Sequence, residues 1–342
     1  MARTTMEDVA KRAGVSRALV SLAYRNLPGV SEATRERILA VGRELRYSPN
    51  RVAARLASSS GDTIGVFLQD LHNDLYADVF DGVREVADRE GIPLVLTVGE
   101  LGGNRDRSAL ETLKQSRVDV AIAIGLLMSD AEASEVAKDL PLVVVTRKID
   151  GIDSVYSDDL ESGRLATEYL IRMGHRRIAF LANPPDDGYR GRRDGYFAVM
   201  ERAGLPPRVV QSEWSREAAA RDIGEVLDSV ERPTGIFAHN DQAALGVLDA
   251  LAARGLRAGV DVSVIGHDNT AGSRLPGAAL TTVDLHGFEL GRRAAELALS
   301  RIAEPARHAE DSPSRPTLIK RETTASYVQP ITGSPEASLN RG

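Results

Sequence analysis

The sequence predicts two kinds of structure in one chain: an all-α helix-turn-helix head with a hinge helix behind it, and a larger α/β domain of two lobes with parallel sheets. Short capped helical segments fill the first 48 residues. From residue 63, apolar strand runs alternate with amphipathic helical stretches, which is typical of parallel sheets covered on both faces. The span of ~260 residues exceeds a typical single hydrophobic core, so we expect two lobes.

The composition excludes several classes of protein. Of the 342 residues, 42% are apolar and 27% are charged, which is typical of a globular protein, and none is cysteine. The absence of cysteine excludes disulfides, thiolate metal ligands and a cysteine nucleophile. No run approaches the ~20 apolar residues of a membrane-spanning helix. The first residues lack the apolar core of a secretory signal. We therefore expect a cytoplasmic protein with no membrane partner.

The net charge of −6 combines two opposite regions. Residues 1–60 contain 11 Lys and Arg against 5 Asp and Glu, a net charge of +6, and the rest of the chain carries −12. A basic head on an acidic body favours a nucleic-acid reader attached to a second domain. A basic face that meets only solvent would give the same count, so charge alone leaves both interpretations open.

Capping signals locate the helices of the head. Thr5 and Asp8 stand at the two positions of a capping box. Gly14 ends that helix, and Ser16 is the expected N-cap of a second one. Ser31 is the expected N-cap of a third. Two short helices joined by a tight glycine turn predict a helix-turn-helix motif.

In a helix-turn-helix motif the second helix enters the major groove by its first residues. Arg17 can donate two parallel hydrogen bonds to guanine, and Ala18 and Leu22 can contact a thymine methyl. Hydroxyl groups at helix starts suit phosphates. The candidate DNA contacts of the head are Thr5, Ser16, Arg17, Ala18, Ser21, Leu22, Ser31 and Thr34. A purely structural three-helix bundle is the competing interpretation.

A short helical segment and a linker follow the head. Residues 49–57 fit one or two helical turns, and the Ser-Ser-Ser-Gly run at 58–61 is typical of a flexible linker. So short a helix is marginal on its own. Leu56 would be an unusual exposed residue there, and insertion between base pairs in the minor groove would explain it. Asn50 and Ala53 are the other candidate DNA contacts of this segment.

Residues 1–60 resemble the DNA-binding head of the lac-repressor (LacI/GalR) family of bacterial transcription regulators. The matching pieces include Asp8-Val9-Ala10, Ala13-Gly14-Val15-Ser16, Val30-Ser31, Leu45-Arg46-Tyr47 and Pro49-Asn50. The resemblance implies that Leu56 is a hinge wedge and that a homodimer pairs two hinge helices on a palindromic operator. Leu19 and Leu22 replace the Thr and Arg common in the recognition helix, so we expect a different operator at the bases they read.

The body alternates strand and helix patterns. The predicted strands are Ile64–Leu68, Leu94–Val98, Val118–Ile124, Leu142–Val145, Ile178–Leu181, Gly235–Ala238, Val262–Ile265 and a final one at Thr317-Leu318-Ile319. The predicted helices include Tyr76–Arg89, Leu160–Met173, Arg216–Leu227 and Gln242–Leu251. Residues 304–316 are rich in Pro, Ser and charge, so we expect an exposed connection there. Residues 331–342 are predicted to be a disordered tail.

Readable enzyme motifs are absent from the body. There is no G-x-G-x-x-G fingerprint, no Gly-Lys dipeptide of a P-loop and no G-x-S-x-G elbow. No two of the six histidines lie within four residues of each other, which excludes H-E-x-x-H. We therefore expect no catalytic residues, no metal and no cofactor, and we interpret the isolated histidines as surface or core residues.

Polar side chains at predicted strand ends are the candidate ligand contacts, because ligands in such folds bind beyond the carboxyl ends of the strands. Carboxylates, amides and guanidiniums can pair with sugar hydroxyls. Capping of the following helices is the competing role, and Asp159, Asp241 and Asn269 fit it well. Arg192 and Asp268 are the preferred ligand contacts.

The body resembles the periplasmic sugar-binding-protein-like core of the same family. The matching segments include Gly174 to Phe180, Arg192 to Tyr196, Ile236 to Asp241 and Val264 to Asp268. The resemblance implies an effector cleft lined by Asp70, Asn73, Arg147, Arg192, Asn240 and Asp268, with Trp214 stacking on a sugar face. Tyr76 completes the candidate set, and its segment, Asp74 to Tyr76, departs from the family pattern.

Together these observations predict a transcriptional repressor that binds double-stranded operator DNA as a dimer and is controlled by a small molecule, preferably a sugar. A carbohydrate-processing enzyme with an accessory DNA-binding head is the alternative. A ligand-binding module whose head contacts proteins is another. The predicted domains are a head at 1–48, a hinge helix and linker at 49–61, and an effector-binding and dimerisation domain at 62–330, with one lobe at 62–157 plus 286–314 and the other at 158–285 plus 315–330.

Overall fold

The computed structural model describes residues 4–24, 28–47, 62–184 and 190–328. The chain divides into two units, Met1–Gly61 and Asp62–Gly342, called here the head and the body. Several predictions lie outside the described residues: those for the tail and for Asn50, Ala53 and Leu56 of the hinge.

The described part of the head contains the helices α1 (Met6–Ala13), α2 (Arg17–Tyr24) and α3 (Glu32–Glu44). The capping box at the start of α1 is confirmed. The amide of Asp8 donates to the Thr5 hydroxyl at 3.3 Å, and the amide of Thr5 donates to the Asp8 carboxylate at 2.8 Å. These bonds satisfy amide groups that a helix start otherwise leaves unpaired.

The other two predicted N-caps of the head are also present. The Ser16 hydroxyl accepts from the amide of Leu19 at 3.2 Å, and the Ser31 hydroxyl accepts from the amide of Thr34 at 3.3 Å. Gly14 ends α1 with φ at 64°, in the left-handed region that glycine adopts without strain. The three helices enclose one small core of Val9, Ala10, Ala13, Val20, Ala23 and Ile38.

The described body contains two six-stranded sheets. Sheet A has the order β11-β5-β4-β3-β1-β2, with β1 (Ile64–Leu68), β2 (Leu94–Val98), β3 (Val120–Ile124), β4 (Leu142–Val145), β5 (Asp153–Ser157) and β11 (Asp311–Ser314). Sheet B has the order β12-β10-β9-β8-β6-β7, with β6 (Ile178–Ala182), β7 (Arg208–Gln211), β8 (Gly235–Ala238), β9 (Ser263–Asp268), β10 (Thr281–Asp284) and β12 (Thr317–Ile319). Neighbouring strands are parallel except β12, which runs antiparallel to β10.

Helices cover the faces of both sheets. They are α4 (Asp74–Glu90), α5 (Asp106–Gln115), α6 (Asp130–Ala137), α7 (Asp159–Arg172), α8 (Gly191–Arg202), α9 (Arg216–Asp222), α10 (Gly224–Asp228), α11 (Asp241–Ala252), α12 (Ala271–Arg274) and α13 (Gly287–Ala303). Each sheet has an apolar cluster on both faces. The predicted helix-turn-helix head and α/β body with parallel sheets are therefore confirmed. Among the described residues, none of the helices is long and apolar enough to span a bilayer.

The chain passes between the two sheets three times. It leaves sheet A after β5 and enters α7, returns after β10 through α13, and leaves again between β11 and β12. Two short connections, Leu285-His286 and Arg315-Pro316, lie on these paths. Several strands joined by crossover helices thus form two lobes, one on each sheet.

The expected exposed connection at 304–316 contains a strand instead. Asp311 to Ser314 form β11, which pairs in parallel with β5 in the register Asp311↔Ser154. Residues such as Pro and Ser suggested a loop, but an edge strand tolerates Pro313 because one side of its backbone needs no partner. The predicted helix at 216–227 is likewise divided, since Ile223 separates α9 from α10.

Glycine allows α7 and α8 to approach closely. A Cβ atom at Gly163 would overlap the carbonyl oxygen of Arg192, and one at Gly195 would overlap the carbonyl oxygen of Leu160. Backbone therefore packs against backbone at this crossing, with no room for a side chain. The consequence for the site is that the first turn of α8, which carries Arg192, is held directly against the first turn of α7.

Candidate DNA-reading face and effector cleft

The first turn of α2 presents a mixed polar and apolar face. Ser16, Arg17 and Ala18 are exposed and Ser21 and Leu22 are half-buried, whereas Val20 and Ala23 lie in the core. In the described part of the head, no carboxylate oxygen lies within 4 Å of the Arg17 guanidinium. The helix therefore offers a charged fork and small side chains on the surface that a major groove would meet.

The hydroxyl groups at the helix starts are partly engaged within the head. Thr5 donates its hydroxyl proton to Asp8 at 2.7 Å, and Ser31 lies 2.8 Å from the hydroxyl of Thr34. A phosphate oxygen only accepts hydrogen bonds. Because Thr5 and Ser31 use their protons locally, Thr34 and backbone amides are the better donors to a phosphate at these ends.

A cavity of 340 Å³ opens where the carboxyl ends of both sheets meet. Its walls come from the segments after β1 and β2 of sheet A and after β7, β8 and β9 of sheet B. The lining residues are Asp70, His72, Asn73, Asp74, Leu101, Trp214, Ser215, Arg216, Glu217, Gln242, Leu245 and Thr270. The volume lies within the range of small-molecule sites. Of the eight candidate contacts, this cavity brings together Asp70, Asn73 and Trp214.

Three of the strand-end candidates hold the local backbone. Asn73 caps α4 by accepting from the amide of Leu75 at 3.0 Å, and Asn240 caps α11 by accepting from the amide of Ala243 at 2.8 Å. Asp70 accepts from the amide of His72 at 3.0 Å. Their positions at the cavity or beside it are thus fixed by helix and turn formation.

Arg192 lies in a buried polar cluster behind the carboxyl end of sheet B. Its Nε donates to Asp159 at 3.0 Å, and its Nη1 donates to the backbone carbonyl of His239 at 2.7 Å. Its side chain is 6% exposed and that of Asp159 is 14% exposed. Asp158, not Asp159, accepts from the first turn of α7 and caps it. Asp159 is therefore the partner of Arg192.

Two histidines complete this cluster. The ring of His267 lies 2.8 Å from Asp268 through Nδ1 and 3.7 Å from Asp159 through Nε2. The ring nitrogen of His239 faces the side-chain amide of Asn183. Burial, with Arg192 as the second cause, holds the pKa of both imidazoles well below the ordinary value, so both are neutral.

Asp268 ends β9 in an unusual conformation. Its φ of 115° lies in a region that L side chains rarely adopt, and the residue is buried. Burial raises the pKa of its carboxyl group well above the ordinary value, and the nearby Asp241 carboxylate acts in the same direction. The side chain therefore reaches the cluster at an angle that ordinary strand geometry would not give.

Trp214 connects this cluster to the cavity. It lines the cavity, and its ring meets the ring of His239 edge to face, with centroids 5.0 Å apart and planes at 75°. Such a contact fixes the orientation of the indole. The rest of the ring can offer a flat surface to a ligand.

Two candidates lie elsewhere in the fold. Arg147 is buried and donates to the carbonyls of Leu126 and Met128, at 3.0 and 2.5 Å, and pairs with Asp130 at 2.5 Å. It ties the segment after β3 to the end of β4. Tyr76 is buried in the core of sheet A, with its hydroxyl 3.4 Å from Gln69. Neither residue lines the cavity described above.

His239, His267 and Asn183 were not among the site residues predicted from the sequence. Each comes at or directly after the end of a strand, β8, β9 or β6, which is the signal that selected Asn240 and Asp268. Interpreting isolated histidines as surface or core residues removed two of them from the candidate set. Selecting every polar residue at or after the end of a predicted strand would have included all three.

The comparisons with known proteins agree with this architecture. Residues 5–50 match the family model described as bacterial regulatory proteins, lacI family, and residues 167–324 match a periplasmic binding protein-like domain. The chain is 32% identical over 330 residues to the HTH-type transcriptional repressor PurR of Erwinia tasmaniensis, covering 94% of this chain and 97% of the relative.

Solved structures are similar over the same span. A lac repressor dimer bound to operator and the anti-inducer ONPF has a TM-score of 0.83 at 30% identity, with 95% of this chain and all of that chain covered. A CelR–cellobiose complex has a TM-score of 0.69 at 28% identity, with 94% of this chain and all of that chain covered.

A helix-turn-helix head and a two-sheet domain with a ligand-sized cavity define a class of DNA-binding regulators that respond to small molecules. The chain belongs to the LacI family of bacterial regulatory proteins and is a transcriptional regulator with a DNA-binding domain and an effector-binding domain.

Proposed function

We propose that this protein represses transcription by binding a palindromic operator as a homodimer, and that a neutral sugar in the cavity between the two sheets controls this binding. The observation that carries the proposal is the 340 Å³ cavity lined from both sheets. A ligand held from both sides favours the arrangement in which the lobes are closed.

The charges around the cavity favour a neutral ligand over an anion. Asp70, Asp74 and Glu217 line it, against one permanent cation, Arg216, and the imidazole of His72, which lies 2.9 Å from Asp70. The Arg216 guanidinium already pairs with both oxygens of Asp249, at 2.6 and 2.7 Å. An anion would therefore meet repulsion, whereas sugar hydroxyls can donate to these carboxylates. Trp214 supports the same class, since a sugar ring can stack on an indole.

The mechanism is a shift between two arrangements of the lobes. The amide of Gly272 in sheet B's lobe donates to Asp74 of α4 at 3.2 Å, and Arg274 pairs with Asp78 of α4 at 3.1 Å. Both contacts join the two lobes beside Thr270, a cavity residue. A ligand that binds one arrangement better shifts the population, by a coupling free energy of typically ~1–3 kcal/mol.

The helix-turn-helix motif of the head supports the proposed operator binding. Two copies of α2 can read two half-sites of a palindrome only in a symmetric dimer. Relatives support both parts: the lac repressor structure is a dimer on its operator, and CelR holds cellobiose. We further propose the hinge at 49–61, the domain boundaries given above, a cytoplasmic location and control by binding without turnover.

The chain's single tryptophan provides a direct test of the ligand class. Because Trp214 lines the cavity, its fluorescence should change on titration with a neutral sugar that fits, with cellobiose and ribose as first probes. Trp214→Phe removes the signal, so calorimetry on that variant checks binding itself. A sugar screen that leaves the fluorescence and the melting temperature unchanged would contradict a sugar effector. Product formation from a bound sugar would instead support the enzyme alternative.

Arg17 tests the reading face. Selection of randomised duplexes by the full chain should yield one palindromic sequence. Arg17→Ala should then weaken binding by ~1–3 kcal/mol and relax preference at one base pair of each half-site. Arg37→Ala removes the same charge from an exposed position of α3 and is the matched control. An unchanged sequence preference in Arg17→Ala would remove Arg17 from the reading face.

A further inference from the structure

A second concave site lies at the amino ends of the strands of sheet B. It is a groove of 490 Å³ formed where β6, β7 and β8 begin. Its lining residues are Arg176, Arg177, Ile178, Pro206, Pro207, Arg208, Ser229, Val230, Glu231 and Pro233. The strands are parallel, so their amino ends lie together at the groove and their carboxyl ends lie together at the effector cavity. Four or five residues at the usual rise separate the two sites by about 15 Å.

The groove carries positive charge that the described residues do not neutralise. Three guanidiniums line it, those of Arg176, Arg177 and Arg208, against the single carboxylate of Glu231. In the described part of the body, none of the three guanidiniums has a carboxylate oxygen within 4 Å, although the body as a whole is acidic. A small basic region on an acidic body attracts anions locally.

The arginines are positioned by backbone carbonyls and a hydroxyl. Arg177 donates from Nε to the carbonyl of Arg232 at 2.9 Å. Arg208 donates to the carbonyl of Glu231 at 2.9 Å and lies 3.4 Å from the Ser229 hydroxyl. These contacts orient the guanidiniums without cancelling their charge. Each arginine has five N–H groups, so donors remain for a ligand.

Apart from Ser229 and Glu231, the rest of the groove wall is apolar, and its prolines restrict the backbone. Three prolines and Ile178 form part of its wall, and the Val230 side chain is fully exposed to solvent. An exposed apolar side chain beside oriented guanidiniums suits a ligand with an anionic head and an apolar body. The volume is that of a small-molecule site.

We propose that this groove binds a small organic anion, a phosphate or carboxylate with an apolar portion, as a second ligand site distinct from the effector cavity. The arginines hold the anionic head, and Val230 with the prolines contacts the apolar portion. The acidic effector cavity disfavours the same ligand, so the two sites select opposite chemistries.

Calorimetry on the full chain tests the site, with phenyl phosphate as probe and inorganic phosphate and phenol as its separate halves. We expect phenyl phosphate to bind more tightly than either half. Arg177→Gln and Arg176→Gln should each weaken it at least about fivefold, the effect of losing one charged hydrogen bond near the surface. Val230→Ser should weaken phenyl phosphate but not inorganic phosphate.

Two control variants show whether the ligand occupies this groove. Arg172→Gln removes a guanidinium that is 61% exposed and 3.6 Å from Glu168, and should leave the affinity within about twofold of wild type. Trp214→Phe, in the effector cavity, should also leave it unchanged. Equal affinity in wild type and Arg177→Gln, or equal affinity for inorganic phosphate and phenyl phosphate, would overturn the proposal. So would loss of phenyl phosphate binding in Trp214→Phe, because that result would place the ligand in the effector cavity. A failed sugar titration leaves this proposal intact.

Discussion

Replacement of Arg192 by methionine tests whether this arginine supports the fold as well as the ligand site. The substitution keeps an unbranched side chain of similar length and removes the guanidinium. In the folded protein that guanidinium bridges the Asp159 carboxylate and the carbonyl of His239, at 3.0 and 2.7 Å, in a region almost closed to water. The variant leaves both oxygen atoms without their donor.

The magnitude follows from these contacts. Breaking a buried ion pair by removing one partner typically costs about 3–5 kcal/mol, because the other charge stays buried without compensation. Burial already raises the pKa of Asp159, and Arg192 opposes that rise. Without Arg192 the pKa rises further. A carboxyl whose folded-state pKa is raised stabilises the protein below its unfolded pKa and loses that contribution as pH rises, so Arg192→Met should be less destabilised at pH 5 than at pH 8.

A double-mutant cycle in urea measures this coupling. Arg192→Met should lower the free energy of unfolding by about 3–5 kcal/mol, and adding Asp159→Asn should restore about 2 kcal/mol, because the unpaired charge is gone. Unfolding is followed both by circular dichroism and by Trp214 fluorescence. A loss below about 1 kcal/mol, or no recovery in the double variant, would refute the reasoning. Sugar titration of the double variant then shows whether Arg192 also contacts the ligand.

Two further predictions concern single side chains. Thr5→Ala removes the capping box of α1 and should cost about 1 kcal/mol of stability in the head, measured by urea unfolding against Ser21→Ala as control; a change of a few tenths would contradict the role of the cap. Burial raises the pKa of Asp241 to about 6, although it accepts from Thr282 and Thr270. The folded state therefore holds its proton more tightly than the unfolded state. Between about pH 4 and pH 7 the stability of wild type relative to Asp241→Asn should fall by about 2 kcal/mol, and parallel pH profiles of the two proteins would contradict the raised pKa of Asp241.

Local chemistry explains why the head was predictable. The hydroxyl of Thr5, Ser16 or Ser31 and the amide that donates to it lie three residues apart, so the sequence contains the whole interaction. The same holds for Gly14, whose left-handed conformation ends α1. Apolar runs such as those of β1 and β4 were equally visible, because both faces of a central parallel strand are buried.

Edge and polar strands depend on distant partners and were therefore overlooked. β5 contains two serines and an aspartate, and its Asp153 is buried by Arg301 and Arg307 from the far end of the chain. β11 has the sequence Asp-Ser-Pro-Ser, and it becomes a strand because β5 lies beside it. No pattern within four or five residues indicates such a distant partner. Tertiary contacts therefore determine whether these segments form strands.

The effector cleft also combines features that local sequence indicates with features that depend on distant contacts. The search for polar residues after predicted strands found Asp70, Asn73 and Arg192. It could not distinguish residues that face the cavity from residues that position neighbouring side chains. That distinction depends on Asp159 and His239, which only the fold brings to Arg192.

The two proposed ligand sites of the body differ in charge. The body carries a net charge of −12, yet it is not uniformly acidic. Carboxylates such as Asp70 and Asp74 dominate the cavity at the carboxyl ends of the strands, whereas Arg176, Arg177 and Arg208 dominate the groove at the amino ends of sheet B. On the proposed assignment, the cavity's carboxylates disfavour an anion and accept hydrogen bonds from a neutral polyol, whereas the groove's guanidiniums favour an anion. Because both sites lie at the ends of the same parallel strands, sheet B connects them physically. Calorimetric titration of the sugar in the presence and absence of phenyl phosphate would measure the coupling between the two proposed sites.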